Sequence, residues 1–378
     1  MKKRWDIFCK IVDNFGDIGV CWRLAKQLND EHGLQIKLWV DDLQSAQKII
    51  SNLNVNINQQ VVDNINIEQW DDAADFSQVA DVVIEAFACG LPISYLAAMG
   101  QQASAGFPPK WINLEYLSAE PWVDDFHAKP SPQANSLVRH FYFPGFTDAT
   151  GGLIRETHIP CLSDESRNPA TLKTLDSDFR RNDEWALKIS LFCYPNAPIK
   201  NLLSALQASS HGVLVYVPQS SILPKIAEFF GKISINMGEK FTKNNLTVEI
   251  LPFLSQADYD KLLSECDLNF VRGEDSWIRA IWAAKPFIWQ PYIQDENAHM
   301  VKLNAFLDLF YANYDKKDLP CKAHRYWSAG QLPEAVFTEF VQQLPAIKSY
   351  TQQQSAQLAS QLDLAAKLVI FCNALYNP

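Results

Sequence analysis

Apolar runs and polar breaks alternate along the first ~120 residues in a regular way. Trp5 to Val12 is mostly apolar and reads as a buried strand. A polar turn follows, and Ile18 to Glu31 then reads as a helix. Val20, Leu24 and Leu28 fall at four-residue steps there, with Cys21 and Ala25 beside them, and Gly33 is a stop signal. Gln35 to Val40 is a second strand, and Leu43 to Leu53 a helix with Ala46, Ile49, Ile50 and Leu53 on one side. Ile65-Asn66-Ile67 reads as a short strand, Asp81 to Ile84 as a β-branched strand, Pro92 to Met99 as a helix and Trp111 to Leu114 as a strand. Alternation of this kind predicts a mostly parallel sheet covered on both faces, with ligands at the carboxyl ends of the strands. That rule puts the turn around Asp13, Glu85-Ala86-Phe87 and Glu115-Tyr116 along one edge of the sheet.

The pattern breaks up between Glu120 and Ile159. Pro121, Pro130, Pro132 and Pro144 interrupt it, aromatics cluster in His140 to Phe146, and Thr150-Gly151-Gly152 is a loop signal. Ser163 to Ala170 is polar and reads as part of a linker. Alternation then resumes. Strands are predicted at Lys188–Cys193, Gly212–Val217, Leu246–Leu251, Leu268–Val271 and Pro286–Trp289. Helices are predicted at Ile199–Gln207, Ser221–Phe230, Gln256–Glu265 (after a Ser255…Asp258 capping pair) and Trp277–Ala284. In the tail, Leu358, Leu362, Ala365, Val369 and Cys372 recur at three- and four-residue steps, which predicts a terminal helix docked on protein. The expected organisation is therefore an α/β domain over 1–160, a linker over 161–185, a second α/β domain over 186–350, and a helix over 351–378 packing back on the first domain.

Composition narrows the function classes. A chain of 378 residues with 48% apolar residues fills two cores and is too apolar for disorder. The formal charge of −10 argues against a general DNA or RNA binder, which would carry a basic stripe. The eight cysteines are scattered, several inside apolar runs, with no C-x-x-C; they read as free thiols in a reducing compartment. The seven histidines show no zinc-ligand spacing. The basic start Met1-Lys2-Lys3-Arg4 is interrupted by Asp6, Lys10 and Asp13, unlike a signal peptide. No stretch approaches a membrane span of about 20 apolar residues. A cytoplasmic enzyme with no membrane partner is expected.

Two turns carry the candidate chemistry. In the first, Asp13 and Asp17 flank Asn14-Phe15-Gly16 where a strand becomes a helix. There one carboxylate can hold a cationic or hydroxyl acceptor while the other takes its proton. Equally, Asp13 suits a turn former and Asp17 a helix N-cap, and the residues alone leave both open. Gly16-Ile18-Gly19 is no G-x-G-x-x-G, which disfavours a nicotinamide dehydrogenase. The second turn is Arg272-Gly273-Glu274-Asp275-Ser276. A helix start there suits a diphosphate, Arg272 adds a forked charge, and Glu274 matches sugar hydroxyls better than phosphate. A Ser276 or Asp275 cap beside a surface ion pair is the structural alternative. Phe253 at a strand end stacks on a nucleobase or belongs to the core. Gln256 can meet a base edge, and Tyr194 the phosphates or sugar. The two turns are expected to face each other across a cleft, one for an acceptor and one for an activated sugar nucleotide.

Asp13-Asn14-Phe15-Gly16-Asp17-Ile18-Gly19-Val20-Cys21-Trp22-Arg23-Leu24 and Phe270-Val271-Arg272-Gly273-Glu274-Asp275-Ser276 resemble signatures of the EarP family. So do Phe141-Tyr142-Phe143-Pro144-Gly145-Phe146 and Gly151-Gly152-Leu153. These are the arginine rhamnosyltransferases of bacterial translation elongation factor P. The resemblance implies a GT-B fold of two Rossmann-like domains with a C-terminal helix crossing back to the first. It implies dTDP-β-L-rhamnose as donor, no cofactor, and an arginine of elongation factor P as acceptor. Inversion would give an α-rhamnosyl arginine, activating the factor to rescue ribosomes stalled at polyproline. Catalytic roles are implied at Asp13, Asp17 and Glu274, and donor contacts at Tyr194, Phe253, Gln256, Arg272, Gly273, Asp275 and Ser276. Asn14, Phe15 and Gly16 complete the acceptor side. Asp17 is expected to act as base while Asp13 orients the guanidinium or Asp17. No metal is expected: Asp41-Asp42 and Asp124-Asp125 are adjacent pairs, suited to turns or surface. The rival functions are transfer to a glycan or lipid carrier and a non-catalytic nucleotide-sugar-binding regulator.

Overall fold

The computed structural model describes residues 3–157, 159 and 187–375, apart from 14, 72, 73, 75, 77 and 135. The expected linker over 161–185 lies outside the described residues. The chain divides into two units, Met1–Ile159 with Leu358–Pro378, and Pro160–Gln357.

The first unit is built on β1 (Arg4–Cys9), α1 (Gly16–Asp30), β2 (Gln35–Val40), α2 (Leu43–Ile49), β3 (Gln59–Val62) and β4 (Ile65–Gln69). Then come β5 (Val82–Ala86), α3 (Ile93–Ser104), β6 (Lys110–Leu114), α4 (Trp122–Phe126), β7 (Pro130–Pro132) and β8 (Val138–Tyr142). The sheet order is β3-β4-β2-β1-β5-β6-β8-β7, antiparallel only at its outermost pairs β3–β4 and β7–β8. Inside those edges it is the dinucleotide-fold order, with the switch point between β1 and β5. The stretch after Glu120, where no strand is predicted above, thus adds two strands. Its prolines hid them: Pro130 and Pro132 sit on an edge strand, where a missing N–H costs no ladder bond.

The helical period read from α1 has its packing counterpart. Val20, Cys21, Leu24, Ala25 and Leu28 are buried in one core with β1, β2 and β5. The tail differs from a single helix. It is two helices, α12 (Leu344–Ala359) and α13 (Leu364–Ala374), with Asp363 between them capping α13 by accepting from the Ala366 N–H at 2.9 Å.

The second unit holds β9 (Leu187–Leu191), α5 (Ile199–Gln207), β10 (Val213–Pro218), α6 (Leu223–Phe229), β11 (Lys240–Lys243), β12 (Leu246–Leu251) and α7 (Gln256–Glu265). β13 (Leu268–Arg272), α8 (Asp275–Ala283), β14 (Phe287–Gln290), α9 (Ala298–Phe310), α10 (Asp318–Ser328), α11 (Glu334–Gln342) and α12 (Leu344–Ala359) complete it, and α13 (Leu364–Ala374) belongs to the first unit. The order β11-β12-β10-β9-β13-β14 repeats the same winding, with its switch point between β9 and β13. Ser255 caps α7 by accepting from the Asp258 N–H at 3.1 Å, as its spacing predicts. Helices α9 to α11 lie where no element is predicted above. α9 and α10 border a buried aromatic cluster in which Trp277 stacks on Trp289 at 3.6 Å and Phe306 packs edge-on at 4.8 Å, while α11 brings Phe337 and Phe340 into the core beneath β9 and β10.

α13 brings Leu364, Ala365, Leu368 and Cys372 into the core of the first unit, beside β1 and α1. The Leu364 N–H donates to the Leu153 carbonyl at 2.9 Å. Gly152 makes that approach possible: its φ is +78°, and a Cβ there would lie 2.7 Å from the Leu362 carbonyl. The paired glycines before Leu153 therefore serve the docking of the tail. The seven cysteines among the described residues are free.

Candidate active site

The first site is built where β1 turns into α1. The Gly16 N–H closes the turn on the Asp13 carbonyl at 2.7 Å, and the Gly19 N–H on Phe15 at 3.0 Å starts the helix. Phe15 holds the N-cap position and no side chain caps α1, so Asp17 is not the cap the turn pattern allows. Its carboxylate reaches backwards instead. Oδ2 accepts from the backbone N–H groups of Val12 at 2.8 Å and Asp13 at 2.9 Å. This pins the loop over the first turn of the helix.

Asp17 is 2% exposed. Burial pushes its carboxyl above the ordinary 3.8; the N–H groups of Asp13 and Val12 pull it back, the Asp13 charge raises it, and the Tyr116 hydroxyl lowers it. Burial outweighs these hydrogen bonds here. The result is a carboxylate of raised basicity in a fixed place. Asp13 is half-buried beside it, and its carboxylate lies over Gly16, where a Cβ would stand 3.0 Å from Oδ2. The absent side chain at Gly16 thus leaves room for Asp13. The Lys48 ammonium lies 5.5 Å from the Phe15 ring. Asn14 lies outside the described residues.

The adjacent acidic residues behave as scaffolding. Asp41 accepts from the Ile11 N–H at 3.0 Å, tying the loop after β1 to the end of β2. Asp42 caps α2, accepting from Gln44 and Ser45 N–H, and the Ser45 hydroxyl holds its carboxyl below the usual range. Glu85, at the end of β5, accepts from the Gly90 N–H and the Trp111 indole and pairs with Arg139. Among the described residues no group of three or more His, Cys, Asp or Glu is placed to hold a metal ion.

The second site sits at the ends of β9 and β13, which are neighbours in the sheet. Gly273 has φ +61°, which turns the chain from β13 into α8. Its carbonyl accepts from the Trp289 indole at 2.7 Å, and its N–H donates to Gln290 at 3.2 Å. Ser276 is buried; its hydroxyl accepts from the Arg272 N–H at 3.0 Å and donates to the Arg272 carbonyl. It locks the turn rather than capping the helix, whose N-cap is Glu274 without a side-chain bond. The Arg272 guanidinium lies 4.4 Å from the Phe192 ring and 4.7 Å from Tyr194, with Nη1 3.5 Å from the Cys193 carbonyl. Two rings and a carbonyl fix a cation at the sheet edge.

Glu274 is neutralised by Lys302 from α9 at 2.7 Å. Asp275 is half-buried in the first turn of α8. Tyr194 is held by its N–H on the Gln290 Oε1 at 2.8 Å, and its ring meets Tyr292 edge-on at 5.7 Å. Phe253 and Gln256 are half-buried after β12, at the same edge of the sheet, so Phe253 is not a core side chain.

The structure thus gathers Asp13, Phe15, Gly16 and Asp17 in one turn, and Arg272, Gly273, Glu274, Asp275, Ser276 and Tyr194 around another. It adds Tyr116 and Phe87 to the first, and Phe192, Gln290 and Lys302 to the second. The strand-end rule reaches Tyr116, Phe87 and Phe192, which follow β6, β5 and β9. No local signal marks Lys302, which comes from a helix absent from the sequence reading.

Two dinucleotide-fold units in one chain, each with its polar turn at a strand switch point, are the architecture of GT-B glycosyltransferases. The same fold recurs, at 10% identity, in a UDP-glucose:anthocyanidin 3-O-glucosyltransferase (99% and 98% of the chains covered, TM-score 0.51). Residues 5–373 match the family of the Elongation-Factor P (EF-P) rhamnosyltransferase EarP, and the chain belongs to that family. It is 42% identical to the protein-arginine rhamnosyltransferase of Pseudomonas putida KT2440, over 98% of this chain and 99% of that one. A solved structure of EarP-mediated arginine glycosylation of translation elongation factor EF-P is 30% identical, covers 99% of each chain, and has a TM-score of 0.66. No helix among the described residues is long and apolar enough to cross a membrane.

Proposed function

We propose that this protein transfers L-rhamnose from dTDP-β-L-rhamnose to an arginine side chain of translation elongation factor P, with inversion at the sugar carbon and without a cofactor. The modification prepares the factor for ribosomes stalled at polyproline, and the enzyme works in the cytoplasm. The observation that carries the reading is the Asp17 carboxylate: buried, raised in basicity, held by two backbone N–H groups and placed beside Asp13.

A guanidinium, with a pKa above about 12, is a full cation and a poor nucleophile. Two adjacent carboxylates answer both problems. Asp13 holds and orients the guanidinium, and Asp17 takes a proton from the attacking nitrogen as its bond to the anomeric carbon forms. The bond from that carbon to dTDP breaks in the same displacement, and its electron pair leaves with the diphosphate. A single displacement inverts the centre. Charge building on the diphosphate is met by Arg272 and by the positive dipole end at the start of α8. Tyr194, Gly273, Asp275 and Ser276 shape that subsite, Phe253 and Gln256 take the nucleobase, and Glu274, with Lys302 on it, orients sugar hydroxyls.

The test is intact-mass analysis of elongation factor P after incubation with the protein and dTDP-rhamnose. One deoxyhexose increment, mapped to an arginine, is the expected result. No increment on the cognate factor sinks the reading.

A further inference from the structure

β5 leaves the sheet through a turn of uncommon backbone. Phe87 (φ 58°) and Ala88 (φ 51°) are both left-handed, and Gly90 follows at φ 76°. A bulky residue in that region is strained, and such strain persists only where the surroundings over-determine it. Here they do. The Phe87 N–H donates to the Leu114 carbonyl at 2.7 Å, the Ala88 N–H to Asn113 Oδ1 at 3.1 Å, and the Gly90 N–H to Glu85 Oε1 at 3.1 Å. Glu85 is itself 2% exposed and anchored by the Trp111 indole at 3.0 Å and by Arg139 at 3.4 Å.

The turn places one ring. Phe87 stacks on Tyr116 at 4.5 Å with 15° between the planes. Tyr116 follows β6, and its hydroxyl donates to the Asp17 carboxylate. A buried acid is thus linked, through a strained turn and a ring stack, to the acidic turn after β1.

We infer that Tyr116 is a positioning residue for transfer, its hydroxyl orienting the Asp17 carboxylate, and that the Phe87–Gly90 turn, pinned by Glu85 and Asn113, serves to hold Tyr116 there. The inference rests on the reading of Asp17 as the base. Oδ2 of Asp17 is tied to the loop backbone by two N–H groups. The phenol adds a donor from a different element of the sheet, so the carboxylate is located from two sides. The titratable groups acting on Asp17 are Asp13 from its own loop, Tyr116, and the buried Cys9 thiol at the end of β1. Of their side chains that of Tyr116 alone stabilises the anion by donating to it; its loss raises the proton affinity of Asp17.

The test is the pH dependence of kcat/KM with the full-length enzyme, dTDP-rhamnose and elongation factor P. Wild type shows an acidic limb, and Asp17→Asn loses transfer. Tyr116→Phe shifts the limb upward by roughly half a pH unit, a threefold loss at acidic pH that closes as the pH rises. Phe87→Gly, which relieves the backbone strain while removing the ring, shifts the limb the same way, and Phe87→Tyr restores it. A purely structural role would lower the rate equally at every pH. An unmoved limb in Tyr116→Phe or in Phe87→Gly overturns the inference while leaving the base assignment standing. Native-rate transfer by Asp17→Asn overturns the base assignment, and this inference with it.

Discussion

The turn after β1 and the turn after β13 occupy equivalent places in two sheets of the same winding, yet they are built for opposite charges. Each follows a strand at the switch point, opens a helix and depends on a glycine. In the first, the N–H groups of residues 12 and 13 are spent on Asp17, so the turn presents carboxylates. In the second, the acid is neutralised by Lys302, the Ser276 hydroxyl is folded onto the Arg272 backbone, and the guanidinium is stacked on two rings. That turn presents a cation and a helix start. One fold position, used twice, yields an acidic turn and a cationic one. The difference lies in which groups are already satisfied, from within the turn in the first and partly by neighbouring elements in the second.

The sharpest way to break the contrast is to remove the charge that defines the first turn. Asp17→Asn keeps the shape and the acceptor oxygen for both N–H groups. Transfer is expected to fall by about 10²- to 10⁴-fold, the usual worth of a positioned base, with dTDP binding unchanged. Stability moves the other way. Because the folded state holds the Asp17 proton more tightly than the unfolded chain, this group favours folding at pH below the ordinary 3.8. That contribution is lost as pH rises through the raised folded-state value. At neutral pH the buried anion is therefore carried at a cost, and Asp17→Asn should melt no lower than wild type. Native-rate transfer would remove the base from the mechanism, and a large drop in Tm would show that the carboxylate is mainly a structural tie.

The mirror experiment is Arg272→Lys in the second turn. A lysine retains the charge and loses the planar fork that lies against Phe192 and Tyr194. Losing a hydrogen bond to a charged group costs about 1.5–3 kcal/mol, or roughly a tenfold to hundredfold loss of dTDP affinity in a calorimetric titration. An unchanged affinity would mean that the helix start alone holds the diphosphate, and the contrast between the turns would rest on α8 rather than on Arg272.

How much of this was legible in the chain follows from the range of the forces involved. Strands buried on both faces and helices with one apolar stripe announce themselves locally, so α5, α7 and β12 are read with the observed bounds. The antiparallel edge strands do not: β7 contains two prolines, and β3 and β11 join their sheets only by antiparallel pairing with a neighbour. The two turns are visible because glycine and carboxylates cluster there. Their opposite charges can be read from Asp13, Asp17 and Arg272, but the partners that set which groups stay available cannot, because several lie far along the chain. Lys302 is twenty-eight residues from Glu274, and Tyr116 reaches Asp17 only through the neighbouring strand order. Residues alone left Asp17 open as a cap; the backward reach of its carboxylate to Val12 and Asp13 replaces that reading.

The smallest effect tests the geometry inside the first turn. Gly16 is the first residue of α1, and an added Cβ would sit 3.0 Å from Asp13 Oδ2 and 3.5 Å from its Cγ. No positive φ opposes a side chain at Gly16, and alanine favours a helix over glycine by up to about 1 kcal/mol. Gly16→Ala should therefore keep or slightly raise Tm. The Asp13 carboxylate is the flexible partner, so it yields by a few tenths of an ångström, and the acceptor guanidinium moves with it. Displacements near 1 Å cost about a hundredfold in rate, so this smaller one should lower kcat by roughly tenfold or less. A stable variant with reduced kcat and unchanged dTDP affinity separates Asp13's role in orienting the acceptor from its role in the turn. A stable variant with native kcat shows that the position of Asp13 is not critical, and Asp17 would then define the acceptor side by itself.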